Sequence, residues 1–176
     1  GAAGGGEPAG EDRRSGQSVG IQCDVVGHGQ SVWCATAMTH LPTTHRSTIT
    51  EDQIDHLGHM NVRFYGVNAR RGTEALLAEL GVAADVETRL VDVYTRHHRE
   101  QLLGAPLAVR SGVIDADADG VRIYHELVNE DSGDLAATFA HRAVGHPGED
   151  HPRRLPDDVV QRASESRIEV PAHGST

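Results

Sequence analysis

A short polar segment, DHLGHMNVRFY at residues 55–65, holds the side chains best suited to chemistry in this sequence. It brings an acid, Asp55, together with two histidines, a glycine and an asparagine just before a predicted helix. An acid at such a place could attack an electrophile or activate water, while the helix N-terminus holds a developing negative charge. The alternative is an ordinary loop acid that only caps the helix.

Two patterns invite a metal interpretation. His56 and His59 form an H-x-x-H pair, but no third ligand stands at a suitable spacing. The run DADADG at 115–120 resembles a calcium loop, yet no acid follows at the closing position until Glu126. We therefore predict no metal site, and we interpret the second pattern as a hairpin turn.

Composition and charge limit the possible partners. The chain has 176 residues and a formal net charge of -10, and all 16 basic residues are arginines. This balance repels nucleic acid and anionic membrane surfaces, although two or three clustered arginines could bind a small phosphorylated ligand. No apolar run approaches transmembrane length.

The two cysteines, Cys23 and Cys34, show no C-x-x-C spacing. They favour a reducing compartment over a disulfide scaffold or a Cys-based zinc site, so we predict a cytoplasmic protein. We also predict that the protein uses no cofactor.

The hydrophobic pattern predicts one long helix and five strands. Residues 62–80 carry their apolar or small residues at steps of three and four, and Gly81 stands where a C-cap glycine belongs. Alternating or β-branched segments predict strands at 44–50, 89–98, 107–116, 121–130 and 135–144. We expect the last four strands to form an antiparallel meander in series, with His125 and His141 as cross-strand neighbours. The helix should lie on one face of this sheet.

The composition divides the chain into three parts. Residues 1–20 offer almost nothing to bury, and the stretch VGIQCDVV at residues 19–26 could form a short strand but has no obvious pairing partner. Residues 1–37 are therefore predicted to be a disordered or poorly ordered extension, with Met38 as the natural start. Residues 38–148 are predicted to form the single domain. Residues 149–176 are polar and are predicted to be a tail with a short surface helix.

Two stretches of the sequence resemble one known family. The first is Asp55-x-x-Gly58-His59 before the helix, with Tyr65 one turn in. The second is TRHHREQLLGAPLAVRSGVIDADADGVRIYHELVNEDSGDLAAT, with its G-x-P-L turn, D-A-D hairpin and D-x-G-x-L-A-A-T return. Together they resemble the hotdog-fold acyl-CoA thioesterases of the 4-hydroxybenzoyl-CoA thioesterase type, and among these the thioesterases of carnitine and betaine metabolism. The resemblance covers roughly residues 44–146.

The resemblance implies an α+β hotdog fold, in which an antiparallel sheet wraps around one long helix, and a dimeric double hotdog or a dimer of dimers. It also implies hydrolysis of a small or medium acyl-CoA to free acid and coenzyme A. Asp55 would be the nucleophile or the general base for water, and the amides near Asn61 and Val62 at the helix start would form the oxyanion site. Gly58 would make room for the substrate, while the side chains of His59 and Asn61 would orient the Asp55 carboxylate or a bound water.

The predicted substrate-binding residues are Tyr65, which would line the acyl pocket or pack against the sheet, and His98 near the substrate. Arginine is the natural partner of the coenzyme A phosphates, and the candidates are Arg96 and Arg99, together with Arg63, Arg70 and Arg71. In the family the active sites lie at the dimer interface, so the other chain could contribute phosphate-binding residues. Two alternatives stay open. One is hydrolysis of an acyl-carrier-protein thioester, and the other is a non-catalytic hotdog domain that only binds acyl-CoA.

Overall fold

The computed structural model describes residue 1 and residues 41–84, 86–145 and 154–172. The predicted extension 1–37, with both cysteines and the start at Met38, otherwise lies outside the described residues. All five predicted strands and the long helix are confirmed, with ends that differ by two residues or fewer. The elements are β1 Thr43–Thr48, α1 Val62–Glu79, β2 Thr88–His97, β3 Pro106–Asp117, β4 Gly120–Asn129, β5 Leu135–Gly145 and α2 Asp157–Glu165.

Helix α1 follows the predicted pattern. Tyr65, Ala69 and Leu76 are buried along one stripe at helical spacing. Leu80 ends the helix, and Gly81 follows with φ +85°, a left-handed conformation that suits glycine.

The five strands form one antiparallel sheet in the order β1-β3-β4-β5-β2. The predicted meander is therefore confirmed for β3, β4 and β5, which are joined by tight turns. At the first of these turns the Asp117 carboxylate accepts from the Asp119 and Gly120 N–H groups at 2.8 and 3.2 Å, the hairpin predicted from DADADG.

The prediction is wrong for β2, which pairs with β5 at the sheet edge instead of with β3. The physical reason lies in the connection between β2 and β3, residues 98–105, which is too long for a hairpin turn. Its main chain bonds instead to Ile49 and to the polar segment: Gly104 N–H donates to Ile49 O (2.9 Å), and Met60 N–H donates to Gln101 O (2.8 Å).

Helix α1 packs against one face of the sheet, as predicted, and the core between them has two apolar clusters. The cluster near the helix start includes Met60, Tyr65 and Phe139. The cluster near its end includes Leu77 and Ile123. A buried polar layer lies between helix and sheet, formed by Thr73, Ser111, His125 and His141.

The C-terminal helix α2 closes the far end of this core. Its Val159 and Ala163 are buried against the second cluster, and Arg162 Nε donates to Leu80 O at the end of α1 (2.8 Å). The segment predicted as a polar tail from residue 149 therefore contributes to the core. The predicted surface helix is present, but one face of it is buried.

No described helix is long and apolar enough to cross a membrane. Among the described residues, no three His, Cys, Asp or Glu side chains lie close enough together to hold a metal ion.

Candidate active site

The polar segment folds into a closed loop between β1 and α1. Asp55 N–H donates to His59 O (2.9 Å), and Gly58 N–H donates to Asp55 O (3.0 Å). Gly58 has φ +84°, so a glycine is favoured at the point where the chain reverses. The loop returns the chain directly to the start of α1, so Asp55 lies close to the helix N-terminus in sequence and in space.

The Asp55 carboxylate is half-buried and held by the loop's own main chain. Its Oδ1 accepts from the Leu57 N–H at 2.8 Å and from the His59 N–H at 3.4 Å. Oδ2 bonds to no residue in the described ranges. One oxygen thus fixes the orientation of the group, while the second is available to a substrate or a water molecule.

Asn61 is the N-cap of helix α1, and it accepts hydrogen bonds from two of the first three main-chain N–H groups of the helix. Its Oδ1 accepts from Arg63 N–H (3.1 Å), and its main-chain O accepts from Phe64 N–H (2.9 Å). No described residue accepts from the Val62 N–H, and Val62 is 63% exposed. The positive end of the helix dipole therefore presents one unused amide next to the Asp55 loop.

The side chains of His59 and Asn61 do not bond the Asp55 carboxylate, which is one of the two partners predicted for them. Asn61 caps the helix, and His59 Nε2 lies 3.2 Å from Oε2 of Glu100 in the β2–β3 connection. Only the main-chain amide of His59 reaches Asp55.

Tyr65 is buried one turn into the helix. Its hydroxyl donates to Arg99 O (3.2 Å), and the edge of its ring packs on His97, with ring centroids 5.0 Å apart. Burial raises the pKa of Tyr65, and the negative charge of Glu100 acts in the same direction. Tyr65 thus forms a neutral wall between the loop and the β2–β3 connection.

The structure separates the other predicted binding residues. His97 contacts Tyr65, so Arg96, its neighbour on strand β2, faces the opposite side of the sheet. Arg99 is exposed and pairs with Asp134 at 3.5 Å. His98 lies just beyond β2, where its Nε2 is 3.3 Å from the Thr138 hydroxyl. Arg99 therefore lies on the side of the Asp55 loop and Arg96 does not.

An open cleft of about 470 Å³ lies beside the loop, between residues 99–105 and the β4–β5 turn at 129–134. Leu102 and Leu103 are more than half exposed on its wall. The buried Gln101 fixes the two segments together, because its Oε1 accepts from Asn129 Nδ2 at 2.9 Å.

A family model described as the thioesterase-like superfamily matches residues 49–163 of this chain. This stretch is more than half of the sequence, and it includes the Asp55 loop, helix α1 and strands β2 to β5. The chain belongs to this superfamily. The family predicted from the sequence is thereby confirmed, and thioester hydrolase is the enzyme class of that family.

A curated relative supports the same assignment. The L-carnitine dehydrogenase/betainyl-CoA thioesterase of Agrobacterium fabrum is 30% identical over 102 residues, which cover 55% of this chain and 21% of the relative. The chain therefore spans about a fifth of the length of the curated relative that it matches.

Solved thioesterases show the same fold. The 1,4-dihydroxy-2-naphthoyl-CoA thioesterase from Synechocystis superposes with a TM-score of 0.59 at 17% identity, covering 69% of this chain and 94% of that chain. A thioesterase from Thermus thermophilus, complexed with coenzyme A and Zn, gives 0.59 at 19% identity, covering 70% and 98%. The sheet of this thioesterase-family chain, wrapped around one helix, is the predicted hotdog fold.

Sequence reasoning missed two contributors to this site. Glu100 and Gln101 stand in a predicted connection, and only the fold brings that connection against the Asp55 loop. The run H-H-R-E-Q at 97–101 was the available signal, because so polar a stretch directly after a strand often lines a site.

Proposed function

We propose that this chain hydrolyses small or medium acyl-CoA thioesters to the free acid and coenzyme A. One observation carries the proposal: a carboxylate with one oxygen fixed and the other available lies beside a helix start that presents the unused Val62 amide. An attacking group and an oxyanion donor are the two features that thioester hydrolysis requires.

In this reaction the thioester carbonyl oxygen accepts from the Val62 N–H as negative charge develops on it. Asp55 Oδ2 attacks the carbonyl carbon, or it takes a proton from the water that attacks. If Asp55 attacks, the carbon–sulfur bond breaks as an acyl–Asp55 anhydride forms, and water then opens the anhydride to give the acid and the Asp55 carboxylate. If Asp55 acts as a base, water adds to the acyl carbon before the carbon–sulfur bond breaks. In both routes the thiolate gains the remaining proton of water. The thiolate is a good leaving group, so no strong acid is needed.

Arg99 is a better candidate than Arg96 for binding the coenzyme A phosphates at the site of its own chain, because Arg99 lines the cleft beside the loop. Its pairing with Asp134 is exposed and weak, so a phosphate can displace the carboxylate. Arg96 faces the other side of the sheet and makes no ion pair with a described residue, so it suits the site of a second chain.

The acyl group is the finer part of the proposal. Tyr65 and Phe139 are buried and fill the space under the loop, which favours a small group. The cleft also carries Glu100, Asp131 and Asp134, so a neutral or cationic acyl group is favoured over an anionic one. The name of the Agrobacterium relative includes betainyl-CoA, a thioester of that kind, and it belongs in the substrate panel.

The proposal includes a homodimer in the cytoplasm. Strand β2 is a sheet edge, and Val93 and Tyr94 on it are 57% and 43% exposed. An edge with exposed apolar side chains is suited to pairing with a second copy. Sedimentation analysis of the wild type and of Val93→Asp tests this: we expect a dimer that the substitution weakens. Cell fractionation tests the location.

The two alternatives differ in a measurable way. A carrier-protein thioesterase would prefer an acyl carrier protein over the same acyl group on coenzyme A, although the acidic chain disfavours docking of acidic carrier proteins. A binding domain would retain acyl-CoA without turnover.

A panel of acyl-CoA substrates with a thiol-trapping reagent tests the main proposal. We expect turnover by the wild type and a loss of at least about 100-fold in Asp55→Asn, because attack by the carboxylate is removed. Asp52→Asn is the matched control: Asp52 is an exposed acid three residues before Asp55, and it accepts from the Thr50 hydroxyl. If Asp55→Asn hydrolyses every thioester as fast as the wild type, the proposal fails.

Water labelled with ¹⁸O separates the two roles of Asp55. A covalent intermediate that water opens at the Asp55 carboxyl carbon places label in the Asp55 carboxylate, which mass spectrometry of the peptide detects. General-base catalysis leaves that carboxylate unlabelled and places all label in the product acid.

A further inference from the structure

The Asp55 loop contains a second acid–base contact that the proposed function does not use. His59 Nε2 lies 3.2 Å from Oε2 of Glu100, and the His59 side chain is one third exposed. The two groups form an ion pair when the ring is protonated, and the Glu100 side chain is three-quarters exposed. A carboxylate on the Nε2 side of the ring favours a proton on that nitrogen. The other ring nitrogen is then available as a proton acceptor.

Main-chain bonds hold Glu100 from both sides. On one side, Arg99 O accepts from the Tyr65 hydroxyl (3.2 Å); on the other, Gln101 O accepts from Met60 N–H (2.8 Å). Both donors belong to the polar segment or to the first turn of α1. The backbone of Glu100 is therefore placed by the same elements that place Asp55.

The position of His59 is fixed as well. Its carbonyl accepts from Asp55 N–H, and its own amide approaches Asp55 Oδ1 at 3.4 Å. The histidine is thus tied to the candidate catalytic acid through the main chain and to Glu100 through its ring. In the described residues, Glu100 is the acid that contacts this ring.

We propose that Glu100 is a positioning residue, which orients the His59 imidazole so that the ring relays a proton from the hydrolytic water to the departing thiolate. This inference rests on the proposed thioester hydrolysis. In one turnover the carbon–sulfur bond breaks, the acyl carbon gains the hydroxyl of water, and the thiolate gains the remaining proton through the ring. The carboxylate of Glu100 stabilises the imidazolium that forms in passing.

Steady-state kinetics on Glu100→Ala, Glu100→Gln, His59→Ala and the double variant test the proposal. We expect kcat to fall about tenfold in Glu100→Ala with KM within about twofold, because proton transfer and not binding is affected. In Glu100→Gln, kcat should fall less, since the amide oxygen still presents a partial negative charge to the Nε2 side of the ring. In the His59→Ala background, Glu100→Ala should have no further effect, because the two residues act as one unit.

Glu79→Gln is the matched control, since it removes the same charge from an exposed acid at the far end of α1 and should leave kcat unchanged. An unchanged kcat in Glu100→Ala overturns the proposal. The proposal is also overturned if the losses in kcat of Glu100→Ala and His59→Ala multiply in the double variant. It is overturned as well if Glu100→Ala loses activity through a lower unfolding midpoint and a raised KM. Each of these results is compatible with an active wild type and an inactive Asp55→Asn, so failure here is distinct from failure of the proposed function.

Discussion

The Nε2 atoms of His125 and His141 lie 3.4 Å apart in the core, and both face the Thr73 hydroxyl of helix α1, at 3.0 and 2.8 Å. That hydroxyl donates its one hydrogen to Ala69 O (3.0 Å), so it can only accept from the two rings. Each ring therefore donates an Nε2–H. The Nδ1 of His125 then accepts from the Ser111 hydroxyl (2.6 Å), which makes His125 neutral.

This arrangement predicts that stability decreases in mild acid. Burial lowers the pKa of His141 to about 4, and burial together with the neighbouring His141 lowers the pKa of His125 well below its usual value. Between about pH 6.5 and 4 the unfolded chain therefore binds more protons than the folded chain, so the free energy of unfolding falls as the pH falls. His141 alone accounts for about 3 kcal/mol across this window.

Urea unfolding measured from pH 7.5 to 4.5 checks the slope, and NMR of the histidine rings checks its origin. Two ring signals should keep their neutral shifts until the protein unfolds, and the ring of the exposed His56 provides the internal comparison. Two buried rings that titrate near pH 6.5 in the folded state would contradict the interpretation.

A second prediction concerns the hydroxyl that joins the two rings. Thr73→Val keeps the shape of the side chain but leaves two buried N–H donors without their acceptor. We expect a loss of about 2–4 kcal/mol in the free energy of unfolding, since each unmet buried donor costs about 1–3 kcal/mol. Thr73→Ser is the matched control, because it keeps the hydroxyl and should cost about 1 kcal/mol for the lost methyl group. Equal losses in the two variants would count against the network.

The local parts of this fold were predictable from the sequence, and the long-range parts were not. Strand and helix bounds follow from periods of two and 3.6 residues, which a sequence shows directly. His125 and His141 were correctly predicted as neighbours, because β4 and β5 are joined by a short turn. The place of β2 depends on where the long connection after it runs, and short-range patterns do not determine that path.

The candidate site divides in the same way. Asp55, Gly58 and Asn61 lie in one short segment, so their proximity to the helix start could be predicted. Glu100 reaches His59 only because the connection after β2 folds back over the loop. Arg96 and Arg99 looked equivalent in the sequence, but strand alternation and the end of β2 direct them to different sides.

A third prediction tests the helix start. Asn61→Ala removes the side-chain acceptor of the Arg63 N–H, and we expect a cost of about 0.5–2 kcal/mol in the free energy of unfolding. Hydrogen exchange should speed up at Arg63 because its amide loses its partner. Asn61→Ser, which can still accept from that amide, is the control and should behave like the wild type. An unchanged exchange rate at Arg63 in Asn61→Ala would show that the cap is not formed.

A fourth prediction compares two glycines of helix α1. A Cβ at Gly72 would lie 2.5 Å from Val109 Cγ1 and 3.0 Å from Thr44 Oγ1, so this glycine lets the helix lie close to the sheet. We expect Gly72→Ala to destabilise the fold by about 1–3 kcal/mol through overpacking. A Cβ at the exposed Gly66 meets no atom within 4 Å, so Gly66→Ala should stabilise the helix by about 0.5–1 kcal/mol. Urea unfolding of both variants should therefore give shifts of opposite sign, and shifts of the same sign would mean that α1 does not pack on β1 and β3 at this distance.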